Sequence, residues 1–163
     1  MKKVKVYGAG SIGNHLAQAS RRMGWRVDIC DIDEDALKRT KNEIYPSRYG
    51  TWDDQISLYS NDTAPVGGYD LIVIGTPPDS HMNLARSAVR EGAKAVLVEK
   101  PLCTPDLNGA QELFNEAKKA NCLVFVGYDH AISKSALKMS ESLKSQHMGK
   151  INTLDVEFRE YWG

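Results

Sequence analysis

The residues with the plainest chemical meaning stand near the start of the chain, as Gly8-Ala9-Gly10-Ser11-Ile12-Gly13. Glycines at this spacing, set between a β-branched run and an amphipathic segment, suit a strand–turn–helix unit whose free helical N–H groups face an anion. Gly8 allows the tight turn, Gly10 lets the backbone approach a diphosphate, Gly13 lets the helix pack closely on the strand, and Ser11 and Ile12 open the helix. The chemistry is dinucleotide binding. About twenty residues on, at the end of the next strand, Asp31 can accept hydrogen bonds from both hydroxyls of an adenosine ribose. That favours NAD over NADP, because no Arg or Lys adjoins Asp31 in the chain and Asp33, Glu34 and Asp35 repel a 2′-phosphate. Asp31 could instead cap the following helix, a task open to Asp33 as well.

Two further motifs fall at the carboxyl ends of expected strands, where an open α/β sheet forms its ligand crevice. One is Gly75-Thr76-Pro77-Pro78 with His81, and the other is Glu99-Lys100-Pro101. Paired prolines make a stiff wall, since each fixes its own φ. His81 reads as a helix-start residue rather than a catalyst. Cys30, Cys103 and Cys122 lie singly, without the spacing of a disulfide framework or a zinc site, and read as small apolar residues; no metal is expected.

The elements that must position these residues alternate short β-branched runs with amphipathic segments, the pattern of parallel strands joined by crossover helices. Strands are expected at Val4–Tyr7, Trp25–Cys30, Asp70–Gly75, Ala95–Val98 and Leu123–Val126. Helices are expected over Ile12–Met23, with Ile12, Leu16, Ala19 and Met23 on one stripe, from Asp33 to about Ile44, and over Asp79–Glu91. The stretch from Tyr45 to Tyr69 reads as mostly surface loop, with Gln55–Tyr59 its one plausible strand. Thr104 is expected to cap a helix beginning at Pro105, with Leu107, Ala110, Phe114 and Ala117 on one face. A last helix, Ile132 to His147, aligns Ile132, Ala136, Met139 and Leu143. Ile151–Tyr161 then alternates as a strand that needs a sheet to join, either as the first strand of a second domain or as an added edge of the first sheet.

Together, the glycine-rich turn, T-P-P-x-x-H and E-K-P resemble the family that includes glucose–fructose oxidoreductase and inositol 2-dehydrogenase, over roughly residues 3 to 160. The resemblance implies a Rossmann-type doubly wound α/β fold followed by a second α+β domain. It also implies an enzyme moving hydride between the nicotinamide of NAD(P) and a carbon of a sugar, cyclitol or related polyol. Lys100 would be the active-site lysine, hydrogen-bonded to the reacting oxygen, with Glu99 beside it and a cis bond before Pro101. Thr76, Pro77 and Pro78 would line the nicotinamide ribose, and His81, Glu99 and Lys100 would count with them among the cofactor-binding residues. After the last strand, Tyr128, Asp129 and His130 stand on the expected substrate rim. There the chain departs from its relatives, with Asp129 for the usual Asn and Ala131 for a common arginine. The division expected is a nucleotide-binding domain over 1–130 and, over 131–163, a crossover helix and the first strand of a truncated substrate domain; an apolar strand that stops at Tyr161-Trp162-Gly163 favours truncation. The parent protein is expected to be a homo-oligomer, since relatives associate through the second domain's sheet.

Bulk properties narrow the field. The 163 residues, 42% hydrophobic, suffice for one good core, and 21 basic and 21 acidic residues cancel, so no field gathers nucleic acid or anionic lipid. The amino terminus lacks a signal-peptide pattern and no long apolar run occurs, so no membrane partner and a cytoplasmic location are expected. The partner expected is a small-molecule substrate. Competing readings are a non-catalytic NAD-binding sensor or subunit, a bare structural Rossmann fold, and a relative that uses NAD transiently to cleave glycosidic bonds.

Overall fold

The computed structural model describes residues 1–145, 149–157 and 159. The chain separates into two compact units, Met1–Gly127 and Tyr128–Gly163, a division three residues before the one expected.

The first unit is a six-stranded sheet in which every pairing is parallel and the order is β3-β2-β1-β4-β5-β6. The strands are β1 (Lys3–Tyr7), β2 (Arg26–Asp31), β3 (Ile56–Ser60), β4 (Leu71–Ile74), β5 (Ala95–Val98) and β6 (Leu123–Val126). The order reverses between β1 and β4, where a doubly wound sheet opens its crevice. Helix α1 (Ser11–Arg22) and helix α2 (Glu34–Arg39) cover one face over Val4, Val6, Val27, Ile29 and Val73. Helices α4 (Pro78–Arg90) and α5 (Ala110–Ala120) cover the other over Ile72, Ile74, Val96 and Val98. Burial on both faces explains why β4 reads as an unbroken apolar run.

Several elements differ from the sequence expectation. Helix α2 does not end near Ile44: it passes through a π-turn, Thr40–Ile44, into α3 (Tyr45–Tyr49), a segment expected to be loop. Pro46 has no N–H to give a regular α-turn, and the wider turn instead lets the Tyr45 N–H reach the Thr40 carbonyl. Fully buried Tyr45, packed edge-on against Tyr49 and Trp52, holds the segment down.

On α1 the buried face is Gly13, Asn14, Ala17 and Ser20, so of the expected stripe Ile12, Ala19 and Met23 are exposed and only Leu16 packs, partly buried, against the core. Close packing on the sheet selects small residues over large ones. Pro105 does not start α5. The Asp106 carboxylate accepts from the Thr104 hydroxyl and from Asn108, and Leu107 and Gly109 take positive φ, so the helix begins only at Ala110. Leu107 and Phe114 are consequently exposed, and Leu113 with Ala117 faces the core.

The second unit holds a 3₁₀ turn, Asp129–Ile132, and helix α6 (Lys134–Lys144), capped by the Ser133 hydroxyl accepting from the Ala136 N–H. Ile132 thus precedes the helix and is exposed, and no residue of α6 is buried. Residues 151–157 carry no strand, in contrast to the expectation, since a strand needs a ladder partner to satisfy its backbone. His147, Phe158 and Tyr161 lie outside the described residues.

Candidate functional site

Strand β1 ends at Tyr7, and Gly8, at φ +102°, turns the chain toward α1. A Cβ there would lie 2.8 Å from the Gly75 carbonyl oxygen, and one on Gly13 would lie 1.9 Å from the Gly8 carbonyl oxygen. The end of β1, the start of α1 and the end of β4 are therefore nested as closely as backbone allows. Gly10 differs: nothing lies within 4 Å of the position of its missing Cβ, which leaves open space in front of the helix. Gly10 is the N-cap, no side chain caps α1, and its first turn has no acidic residue. Such an end presents N–H groups and a positive dipole outward, which is the chemistry that holds a diphosphate.

Asn14, to which the sequence pattern gives no role, braces this turn. It is fully buried, and its amide nitrogen lies 2.8 Å from both the Ala9 and Gly10 carbonyls and 3.1 Å from the Thr40 hydroxyl, which itself reaches Ala9 O at 3.2 Å. Its signal was position: one residue after Gly13, on the side of α1 that faces inward.

Asp31 closes β2. Its Oδ2 accepts from the Ala9 N–H at 2.6 Å and its Oδ1 from the Asp33 N–H at 2.9 Å, so one carboxylate ties the glycine-rich turn to the β2–α2 corner. The cap of α2 is Asp33, which accepts from the Asp35 N–H; the alternative that Asp31 performs this task is thereby removed.

A cleft of about 640 Å³ runs along these strand ends, with Gly8, Gly10 and Asp31 on its wall together with Gly75, Thr76 and Pro77. Arg39, one helical turn beyond Ala36, lines the same cleft. A search along the chain for a base next to Asp31 misses it, because α2 brings it there. Cys30 also lines the cleft, but burial pushes its thiol up to about 12, away from any nucleophilic role.

Ser11, Ile12 and Gly13 form the first turn of α1, and Pro78 is the first residue of α4. His81 is buried in the first turn of α4, its Nε2 2.7 Å from the Thr76 carbonyl and its Nδ1 2.7 Å from the Pro101 carbonyl. Glu99 and Lys100 follow β5; the Lys100 N–H donates to the Glu99 carboxylate at 3.3 Å and its side chain is exposed. The peptide bond from Lys100 to Pro101 is cis. Neither Glu99 nor Lys100 lines the cleft. Tyr128, Asp129 and His130 belong to the second unit, where Tyr128 is exposed and the Asp129 carboxylate accepts from the His130 N–H.

Residues 2–128 match the model of the oxidoreductase family with an NAD-binding Rossmann fold, the Gfo/Idh/MocA family. The chain belongs to this family. It is 23% identical over 160 residues to the myo-inositol 2-dehydrogenase of Thermotoga maritima, covering 97% of this chain and 45% of that protein. Two solved structures share the fold. The myo-inositol 2-dehydrogenase of Lactobacillus plantarum superposes with a TM-score of 0.73 at 22% identity, over 92% of this chain and 43% of that one. The WlbA dehydrogenase of Bordetella pertussis, in complex with NADH and UDP-GlcNAcA, gives 0.71 at 20%, over 91% and 44%. This Gfo/Idh/MocA chain thus spans less than half the length of these relatives. Among its described residues no helix is long and apolar enough to cross a membrane.

Proposed function

We propose that the first unit binds NAD across the ends of β1, β2 and β4 and serves hydride transfer to or from a carbon of a sugar, cyclitol or related polyol. The observation that carries this reading is the single cleft lined by Gly8, Gly10 and Asp31 together with Gly75, Thr76 and Pro77. The residues present suit the cofactor: an uncapped helix end free of acids for the diphosphate, open space at Gly10, and a carboxylate for ribose hydroxyls. When bound, NAD supplies or accepts the hydride. Asp31 favours the ribose over a 2′-phosphate, and the Thr76–Pro78 wall borders the nicotinamide end. Lys100, with its charged donor, hydrogen-bonds the reacting oxygen and stabilises the negative charge that develops there. Tyr128, Asp129 and His130 begin the substrate rim, and residues from Tyr128 onward lead into a substrate-binding domain.

Calorimetric titration of the chain with NADH tests the reading, and absence of binding at millimolar ligand removes it. The variant Lys100→Ala is expected to keep its NADH affinity. In any form of the protein that oxidises a polyol, the same change is expected to lower turnover by about two to three orders of magnitude; unchanged turnover takes the lysine out of the chemistry.

A further inference from the structure

His81 is 1% exposed, and each of its ring nitrogens faces a carbonyl oxygen at 2.7 Å, Nε2 that of Thr76 and Nδ1 that of Pro101. A carbonyl oxygen only accepts. A neutral imidazole has one N–H, so it could satisfy one of these oxygens and would press a lone pair on the other, whereas a ring protonated on both nitrogens donates to both.

The two carbonyls belong to different walls. Thr76 opens the segment after β4 and Pro101 closes the turn that carries Lys100 after β5. The Thr76–Pro78 wall has little means of holding itself, since Pro77 and Pro78 have no N–H. It is held from α4: Ser80 donates to the Pro77 carbonyl through its N–H at 3.1 Å and its hydroxyl at 2.8 Å and contacts the Thr76 hydroxyl at 2.6 Å, while His81 takes the Thr76 carbonyl. Of these two side chains only His81 also reaches across to the Lys100–Pro101 turn. Among the described residues its ring makes the sole side-chain hydrogen bond between the two segments.

We infer that His81 is a positioning residue: carrying a proton on both ring nitrogens, it ties the Thr76–Pro78 wall to the Lys100–Pro101 turn and so sets the nicotinamide end of the cleft against the lysine. It does this without touching the cofactor. The functional half of this inference rests on the NAD-binding reading above; the bridge itself does not.

Two measurements test it. Long-range ¹H–¹⁵N NMR of the wild-type chain at neutral pH, with His81 assigned by the signal lost in His81→Gln, is expected to show both ring nitrogens protonated. Titrations of NADH and of ADP-ribose, which lacks the nicotinamide, then separate the two ends of the cleft. In His81→Leu, NADH binding is expected to weaken about tenfold and ADP-ribose binding to stay within about twofold, because a charge-assisted hydrogen bond is lost at one end only. His81→Gln, keeping one donor, should fall between. Equal weakening of both ligands, or of neither, overturns the positioning role, and so does a ring with a single protonated nitrogen. Should His81→Leu fail to fold, His81→Gln and the NMR decide. A wild-type chain that binds neither ligand refutes the cofactor reading instead. In that case the bridge stands or falls on the NMR alone.

Discussion

Gly13 sits so close to Gly8 that a Cβ on Gly13 would stand 1.9 Å from the Gly8 carbonyl oxygen. The contact is backbone against missing side chain, so neither partner can swing away. It fixes the distance between the start of α1 and the end of β1, and through Gly75, whose missing Cβ faces the Gly13 backbone at 3.2 Å, the distance to β4 as well.

Gly13→Ala is therefore expected to destabilise the fold by about 3 kcal/mol or more, beyond the usual cost of overpacking because the obstacle is backbone. Thermal unfolding should show it as a fall of roughly 2–4 °C per kcal/mol. A melting temperature equal to that of wild type would contradict the packing described.

Asp31 presents the next case. Its carboxylate links the Ala9 and Asp33 N–H groups, and an amide in its place keeps one acceptor and turns a donor toward the other. Asp31→Asn is expected to lower NADH affinity about tenfold or more, in line with the loss of a charged acceptor. With Arg39 already on the cleft wall, the same change should narrow the preference for NADH over NADPH. Parallel titrations with the two cofactors check both parts.

Beneath the sheet, Lys5 and Glu91 form a buried pair, Nζ to Oε2 at 2.9 Å, with side chains 1% and 7% exposed. Burial pulls the ammonium down, yet the hydrogen bonds and attraction from Glu91 and Tyr7 together outweigh it, and its net shift is upward. Removing one partner strands the other's charge. Lys5→Met is expected to cost about 3–5 kcal/mol, and adding Glu91→Leu should recover most of that. Denaturant unfolding of the single and double variants measures the difference, and additive losses would contradict it.

Glu116 gives a pH prediction. It joins α5 to α4 by accepting from Arg86 and Arg90, each at 2.7 Å, and these bonds hold its carboxyl down at about 2 against its usual 4.5. A carboxyl depressed in the folded state contributes stability that is present above its unfolded pKa and lost as pH falls through the folded one. The melting temperature of Glu116→Gln should thus lie below wild type at neutral pH, with the gap closing between about pH 4.5 and 2. A gap that stays constant from pH 4.5 down to pH 2 would assign the effect to packing instead.

Much of the fold could be read from residue order because its causes are local. Asp70–Gly75 reads as a doubly buried strand from composition alone, and Gly8 to Gly13 reads as a turn because few residue types tolerate that backbone. The segment Tyr45–Tyr49 could not be read the same way. Proline and a nearby glycine argue for loop, and only the packing of Tyr45 against Tyr49 and Trp52 makes the segment helical instead. The start of α5 failed for the opposite reason: a good local cap at Thr104 lost to the turn that Asp106 organises.

In the candidate site, likewise, residue types and spacing were enough to nominate Gly8, Gly10, Gly13 and Asp31, since each is tied to a strand end by its neighbours in the chain, whereas Thr76–Pro78 and Lys100 were nominated by the family resemblance of their motifs. The tertiary structure alone decided that Asn14 braces the turn, that Arg39 shares a cleft with Asp31, and that His81 lies between two loops far apart in the chain. The physical reason is the range of the interaction. Backbone preference and apolar periodicity act over a few residues and are written in the order of the chain, whereas a hydrogen bond between loops exists only after the strands have paired and brought distant atoms within about 3 Å.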